Sequence, residues 1–282
     1  MKSKSNSNSK VPRRGRGRIP APGATALWLF DFDNTLALLE PCVDWAASRR
    51  ELEPVLRAAG VLEHLFEQHP RGNLLLYNAL HRLFLSPRDA DLNGRPTEHA
   101  RPDPKRARAL LRRASAIIEK YELAGVDRAE PLPGAFALVH ALRVAGAALG
   151  IVTSNSSRTV TRWLKRNRLA AIVPTVVGRD SLLPLKPAAD MLQAALKKCG
   201  VSAADAAYVG DSEGDLIAAR EAGLQFFAIA PMLAARDRMV AAGAERIFAS
   251  PAALAIYLNL AIARAATPPR SPRSAHDAHG GE

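Results

Sequence analysis

The strongest constraint on the fold is an apolar run over residues 27–30 that ends in two acids, Asp31 and Asp33. An unbroken apolar run of this length is typical of a strand in a parallel sheet with both faces covered. Sheets of this kind bind their ligands at the carboxyl ends of the strands. Because side chains two positions apart share one side of an extended chain, Asp31 and Asp33 can converge on one substrate. For an isolated pair of this kind, two solvated acids in a turn are the simpler explanation.

Further along the chain, two more apolar runs end in polar side chains, and a lysine lies between them. A hydroxyl or carboxylate at such a place can simply begin a helix, and a lysine is usually exposed. Several polar groups that appear in this order are better explained by one shared site, because the carboxyl ends of parallel strands meet at one edge. The candidate site residues are Asp31, Asp33, Thr153, Ser154, Asn155, Lys186, Asp211 and Asp215.

The order of apolar runs and helical segments predicts an α/β fold with a doubly wound parallel sheet. Residues 38–130 have no strand pattern, and their apolar side chains recur at helical spacing. We therefore expect an all-helical insertion over residues 38–130 in a core formed by residues 23–37 and 131–266. Strands are expected near 26–31, 147–152, 173–177, 206–209 and 225–229, with a short strand near 245–248 and a last helix near 251–264.

The motifs resemble those of the haloacid dehalogenase-like superfamily over roughly residues 26–250. The matching positions are residues 31–36 for the first motif, Thr153 for the second, Lys186 with Pro187 for the third, and residues 210–215 for the fourth. Two positions depart from the common pattern: Asn34 stands where many members have Gly, and Ala189 where many have a second Pro. The chain is most similar to the phosphoglycolate phosphatase-like branch, which implies a Rossmann-like core with a type 1 helical cap.

The resemblance implies a role for each site residue in phosphoryl transfer. Asp31 would be the nucleophile that forms an aspartyl-phosphate. Asp33 would protonate the leaving oxygen and then activate water. Thr153, together with Ser154 and Asn155, would bind the phosphoryl oxygens, and Lys186 would offset their negative charge.

A metal site is implied by the same resemblance. Mg²⁺ prefers oxygen ligands and keeps several waters. Asp31, Asp211 and the backbone carbonyl of Asp33 are the implied ligands. Asp215 is either a further ligand or an acid that orients the others, and we favour the orienting role.

Charge and cysteine content limit the cellular context. The net charge is +12, but seven of the basic residues lie in residues 1–22, which contain no acid. This segment and residues 267–282 have the composition of disordered tails. Because the first segment lacks aromatic residues that could stack on bases, we expect at most weak, non-specific binding to nucleic acid. No apolar run is long enough to cross a membrane, and two cysteines are too few for a disulfide framework, so we expect a cytoplasmic protein.

These observations favour a Mg²⁺-dependent phosphatase that acts on a small phosphorylated metabolite. A sugar-phosphate mutase or a nucleotidase of the same superfamily is an alternative. A second alternative, from another class, is a non-catalytic protein that binds polyanions through its basic amino-terminal segment. The sequence does not indicate an oligomeric state.

Two groups of basic residues could contact substrate. Arg158 is close enough in sequence to Thr153 to lie beside the phosphate. A cluster within the predicted cap could reach a substrate carboxylate, although a solvated helix face paired with Glu119 and Glu122 is the simpler interpretation. The cluster consists of Arg101, Lys105, Arg106, Arg108, Arg112 and Arg113.

Overall fold

A computed structural model describes residues 25–61, 63–70, 72–85 and 103–260. The segments predicted as disordered tails, residues 1–22 and 267–282, lie outside these ranges. Eight strands are present in the described chain, and six of them form one parallel sheet. The strands are β1 (Leu27–Phe30), β2 (Ala37–Leu38), β3 (Glu130–Pro131), β4 (Ala148–Val152), β5 (Thr175–Val177), β6 (Ala206–Gly210), β7 (Gln225–Ile229) and β8 (Ile247–Phe248).

The parallel sheet has the strand order β5-β4-β1-β6-β7-β8, with β1 at its centre. Leu29 of β1 lies in register between Gly150 of β4 and Tyr208 of β6. All four side chains of β1 are fully buried, and successive ones belong to two different apolar clusters. This alternation places one layer of helices on each face of the sheet, as a doubly wound fold requires.

Ten α-helices connect and cover the strands of the described chain. They are α1 (Trp45–Ala58), α2 (Glu63–Gln68), α3 (Asn73–Leu85), α4 (Pro104–Gly125), α5 (Ala135–Val144), α6 (Ser157–Arg166), α7 (Asp190–Cys199), α8 (Glu213–Ala222), α9 (Leu233–Ala241) and α10 (Pro251–Tyr257). The predicted α/β fold class is confirmed by the parallel sheet and its flanking helices.

The last helix is shorter than predicted, because α10 ends at Tyr257 rather than near residue 264. Asn259 adopts the left-handed conformation, with φ of 52°. The backbone N–H of Leu260 turns back to the carbonyl of Ala255. This arrangement is a common helix terminator, and it satisfies a carbonyl that the helix would otherwise leave unpaired.

The two short strands β2 and β3 form an antiparallel pair at the base of the helical segment. Within the described residues between Leu38 and Glu130, the ordered elements are all helical. Helices α1, α3 and α4 contribute Leu52, Leu76 and Leu111 to one apolar cluster, which also includes Val177 and Leu182 of the core. The division into a core and a cap over residues 38–130 stays a prediction.

Candidate active site

Three of the candidate residues follow three neighbouring strands of the sheet. Asp31 follows β1, Thr153 follows β4 and Asp211 follows β6. The backbone N–H of Asp31 still bonds the carbonyl of Val209, 2.8 Å away, so the nucleophile candidate is fixed to the end of the ladder. The carboxyl end of the central strands therefore carries the polar groups that the sequence predicts there.

Lys186 joins two of the acids in the interior. Its ammonium lies 2.8 Å from Asp31 Oδ1, contacts Asp215 Oδ1, and donates to the Tyr208 hydroxyl at 3.1 Å. All three of its donors are thus satisfied. Burial works against the charge, but Asp215 and Asp31 raise the pKa of Lys186 above its ordinary value. Lys186 is consequently a fixed cation beside the candidate nucleophile.

Asp215 uses both carboxylate oxygens for hydrogen bonds within the protein. One oxygen contacts Lys186 and the Tyr208 hydroxyl, and the other accepts from Ser212 and from the backbone N–H of Asp211. Burial opposes ionisation, but Lys186 and these donors lower the pKa of Asp215. Gly210 permits this close approach, because a Cβ there would lie 2.6 Å from the Asp215 side chain. These contacts favour the orienting role for Asp215.

Tyr208 is a site residue that the sequence did not reveal. Its hydroxyl lies 2.8 Å from Asp215 Oδ1 and 3.0 Å from the carbonyl of Val152, while it accepts from Lys186. Burial, reinforced by Asp215 and Asp31, raises the pKa of Tyr208 well above its ordinary value, so the phenol stays protonated. In an apolar strand a tyrosine is indistinguishable from a core residue by pattern.

The acidic groups fit a hard cation. Asp31, Asp211 and Asp215 each place a carboxylate oxygen within 4.8 Å of the others. Burial and repulsion from Asp31 and Asp215 raise the pKa of Asp211 to about 9. Burial likewise raises the pKa of Asp31, despite the nearby lysine. A divalent cation would relieve this repulsion, and oxygen ligands of this kind suit Mg²⁺.

Asp33 is held by the turn that follows β1. Its Oδ1 accepts from the backbone N–H groups of Leu39 at 2.8 Å and Glu40 at 3.1 Å. Burial raises the pKa of Asp33 to about 7, although these bonds favour the ionised form. Asn34 has φ of 57°, a left-handed conformation that glycine and asparagine adopt most readily. This conformation explains why asparagine can occupy a position where many superfamily members have glycine.

The residues after β4 form a short loop, residues 153–156, which we call the β4 loop. The Thr153 hydroxyl lies 3.1 Å from Asn155 Oδ1 and accepts from the backbone N–H of Asn155. The Asn155 amide donates to Glu122 of α4 at 3.1 Å. Ser154 is half-buried, whereas Thr153 and Asn155 are buried. The Thr153 and Asn155 side chains are thus joined by hydrogen bonds, and the Asn155 amide is directed toward α4.

The predicted pairing of the basic cluster is wrong in one respect. Glu122 is fully buried and pairs with Arg179, because the carboxylate faces the sheet layer rather than solvent. Arg158 is exposed and bonds Glu119, so its side chain points along α4. The five cluster residues from Lys105 onward are exposed, and Arg101 lies outside the described residues. Arg179 gave no signal in the sequence, because a single arginine after a strand has no distinctive spacing.

Comparison with known proteins shows what this chain is similar to. Residues 95–229 match the family described as haloacid dehalogenase-like hydrolase. This match covers slightly less than half of the chain. Among the described residues, no helix has the length and apolar character needed to cross a membrane.

Curated relatives and solved structures are also similar to this chain. The chain is 33% identical to a phosphoglycolate phosphatase of Rhodospirillum rubrum over 156 residues, which are 55% of this chain and 63% of that protein. It therefore spans less than two thirds of the relative's length. The fold is similar to that of CbbY from Rhodobacter sphaeroides in complex with phosphate, with a TM-score of 0.55 and 23% identity, covering 84% of this chain and all of that one. A CbbY mutant in complex with xylulose-(1,5)bisphosphate has a TM-score of 0.53 and 22% identity, covering 81% and 95%.

Proposed function

We propose that the chain is a Mg²⁺-dependent phosphatase that hydrolyses a small phosphorylated metabolite through an aspartyl-phosphate on Asp31. The observation that carries this proposal is the contact of Lys186 Nζ with Asp31 Oδ1, 2.8 Å away, at the carboxyl end of the central strand. The Lys186 ammonium has three hydrogen-bond partners in the interior, so it is satisfied without solvent. It supplies a preorganised positive charge where an incoming phosphate would need it.

In the first step, Asp31 attacks the phosphorus and the ester P–O bond breaks. Lys186 orients the carboxylate and offsets the charge on the transferring group. The protonated carboxyl of Asp33 gives its proton to the leaving oxygen. The pKa of Asp33, raised to about 7, leaves a substantial protonated fraction at neutral pH.

In the second step, water attacks the phosphorus of the aspartyl-phosphate. Asp33, now ionised, accepts a proton from this water, and the P–O bond to Asp31 breaks. Inorganic phosphate leaves, and Asp31 and Asp33 return to their starting forms. The β4 loop, with Thr153 at its start, would bind phosphoryl oxygens in both steps.

Asp31, Asp211 and the backbone carbonyl of Asp33 would hold the Mg²⁺ ion, with Asp215 orienting its neighbours. When bound, the ion would neutralise negative charge on the carboxylates and on the phosphate. The support for this arrangement is the cluster of carboxylate oxygens of Asp31, Asp211 and Asp215, which lie within 4.8 Å of one another. Burial, together with repulsion from Asp31 and Asp215, raises the pKa of Asp211, as expected of a carboxyl that lacks a cation.

The names of the similar proteins define the first substrates to test. The phosphoglycolate phosphatase relative points to 2-phosphoglycolate, and the CbbY complex points to a sugar bisphosphate. Both are small phosphate esters with polar groups near the reacting phosphorus.

The experiment measures phosphate release from 2-phosphoglycolate, xylulose 1,5-bisphosphate, sugar monophosphates and nucleotides, with Mg²⁺ or with EDTA. Wild type is compared with Asp31→Asn, and with Asp205→Asn as a matched acid outside the site. We expect release only with Mg²⁺ and an intact Asp31. Release that persists in Asp31→Asn would overturn the proposal.

A further inference from the structure

Arg179 and Glu122 form a buried ion pair between helix α4 and the sheet layer. Both side chains are 0% exposed. Arg179 Nη1 lies 2.8 Å from Glu122 Oε1, and Nη2 lies 3.2 Å from Oε2, so the contact is bidentate. The remaining N–H groups of Arg179 donate to Ser115 of α4 and to the carbonyl of Ser154. All five N–H donors of the guanidinium therefore have partners.

The carboxylate of Glu122 also bonds residues at the end of β4. Oε1 accepts from the Asn155 amide at 3.1 Å. Oε2 accepts from the backbone N–H of Ser156 at 3.0 Å and from the Thr159 hydroxyl at 3.2 Å. Glu122 thus contacts both the β4 loop and the first turn of α6.

Both partners bond the β4 loop, one through acceptors and the other through donors. Glu122 accepts from the loop's donors, while Arg179 donates to its acceptors: the guanidinium to Ser154 and the backbone N–H to the Asn155 carbonyl at 2.9 Å. Gly178 brings these segments into contact, because a Cβ there would lie 2.3 Å from the backbone nitrogen of Ser157. The conformation of the loop is thereby fixed by groups outside it.

A buried ion pair is not the simplest way to join two elements. Removing two charges from water costs about as much as their attraction returns, and well-packed apolar residues often stabilise a fold equally well. The ion pair instead fixes the relative orientation of the two side chains, since a bidentate contact permits only one geometry. Asn155 connects this fixed pair to Thr153. Its amide donates to Glu122, its Oδ1 accepts from the Thr153 hydroxyl, and its backbone N–H donates to that hydroxyl.

We propose that Glu122 and Arg179 are positioning residues that hold the β4 loop in the conformation that binds the phosphoryl group. The inference rests on the proposed phosphatase function, and it adds two residues that do not touch the reacting atoms. It also makes α4, in the segment predicted as the cap, a structural part of the phosphate-binding site.

The test uses a double variant, Glu122→Gln with Arg179→Met, which removes both charges and leaves neither partner buried alone. The matched control is Asp127→Asn, which removes the Asp127–Arg162 pair between the end of α4 and α6, where the side chains are 45% and 52% exposed. Steady-state kinetics, the inhibition constant of orthovanadate, the Mg²⁺ requirement and the melting temperature are measured for each protein.

We expect the double variant to keep a melting temperature close to that of wild type, while kcat/KM falls and the orthovanadate constant rises by about tenfold or more, since small displacements of binding groups are costly. The Mg²⁺ concentration for half-maximal activity should not change, because the metal candidates belong to other loops. A role confined to stability would lower the melting temperature without this selective loss. A folded double variant with wild-type kinetics and wild-type vanadate inhibition overturns the proposal.

Arg179→Lys is the second variant, for the case in which the double variant fails to fold. A lysine keeps the charge opposite Glu122 but cannot reach Ser115, Glu122 and the Ser154 carbonyl together. We expect a smaller loss with the same selectivity for phosphate, and unchanged kinetics would contradict the inference. If wild type itself releases no phosphate from any substrate, the loop can still be tested without turnover. Orthovanadate binding to wild type and variants is then measured by the shift in melting temperature that it causes.

Discussion

Lys186 and Asp215 form an ion pair beneath the candidate nucleophile, with the lysine also bound to Asp31. The side chains of Lys186 and Asp215 are 7% and 0% exposed. One cation is therefore shared by two carboxylates, so negative charge remains, and Asp211 adds to it. A metal ion or a proton can offset this charge. This imbalance connects the electrostatics of the site to its proposed chemistry.

Replacement of the lysine should abolish most of the activity. Lys186→Met removes a preorganised charge, a kind of change that typically lowers kcat by about 100- to 1000-fold. It also leaves buried carboxylates without their cation, so the melting temperature should fall as well. Lys197→Met, which changes an exposed lysine of α7, is the control and should resemble wild type. Near-normal kcat in folded Lys186→Met would contradict the assigned role.

The proposed acid role of Asp33 predicts a dependence on the leaving group. Asp33→Asn should lower kcat/KM for an alkyl phosphate by about 100- to 10,000-fold, the usual contribution of general acid–base catalysis. The rate of the p-nitrophenol burst from p-nitrophenyl phosphate should fall much less, because that leaving group needs no proton. If Asp33→Asn slowed the first step equally for the alkyl phosphate and for p-nitrophenyl phosphate, proton donation by Asp33 would be contradicted.

The pH dependence follows from the same residue. Because Asp33 must be protonated to act as an acid and its pKa is about 7, kcat/KM for alkyl phosphates should fall as the pH rises above 7. The decline should approach tenfold per pH unit, and it should be absent in Asp33→Asn. A profile that rises through this range in wild type would place the essential proton elsewhere.

Metal binding should release protons. Without a cation, the pKa of Asp211 is about 9, so its carboxyl is largely protonated at pH 7. The cation binds the ionised form, and its affinity should therefore rise with pH between 6 and 9. Calorimetric titration with MgCl₂ in buffers of different ionisation enthalpy measures the protons released. An affinity that does not change with pH would exclude Asp211 as the titrating ligand.

Loss of the Tyr208 hydroxyl should have a moderate effect on stability. Tyr208→Phe removes a group that bonds Lys186 and contacts Asp215, and such a bond contributes about 0.5–1.5 kcal/mol, or more where a charged partner is involved. The free energy of unfolding, measured with urea, should fall by about this amount. Tyr257→Phe, outside the site, provides the comparison.

The part of the site that follows local pattern could be predicted from the sequence. Asp31 and Asp211 stand at the ends of apolar runs, and the run itself indicates a buried strand with its ligands at the carboxyl end. The end of α10 is harder to predict. The helix ends where Asn259 adopts a left-handed backbone conformation, and an asparagine does not always adopt it.

The rest of the site depends on contacts that no local pattern records. Glu122 and Arg179 are 57 positions apart, and each looks like an ordinary surface residue in its own segment. Tyr208 was concealed for the opposite reason, since it lies in a strand where an aromatic side chain is expected to pack. Their roles come from tertiary packing, which brings polar groups from α4, from the turn after β5 and from β6 into the interior.

The most direct test of the account is detection of phosphate on Asp31 during turnover. Wild type would be mixed with its best substrate and Mg²⁺, quenched in acid within milliseconds, reduced with borohydride and analysed by peptide mass spectrometry. We expect reductive conversion of Asp31 to homoserine, dependent on substrate and absent in Asp31→Asn. Full turnover with an unmodified Asp31 at every quench time, or with the phosphoryl group on another residue, would contradict it.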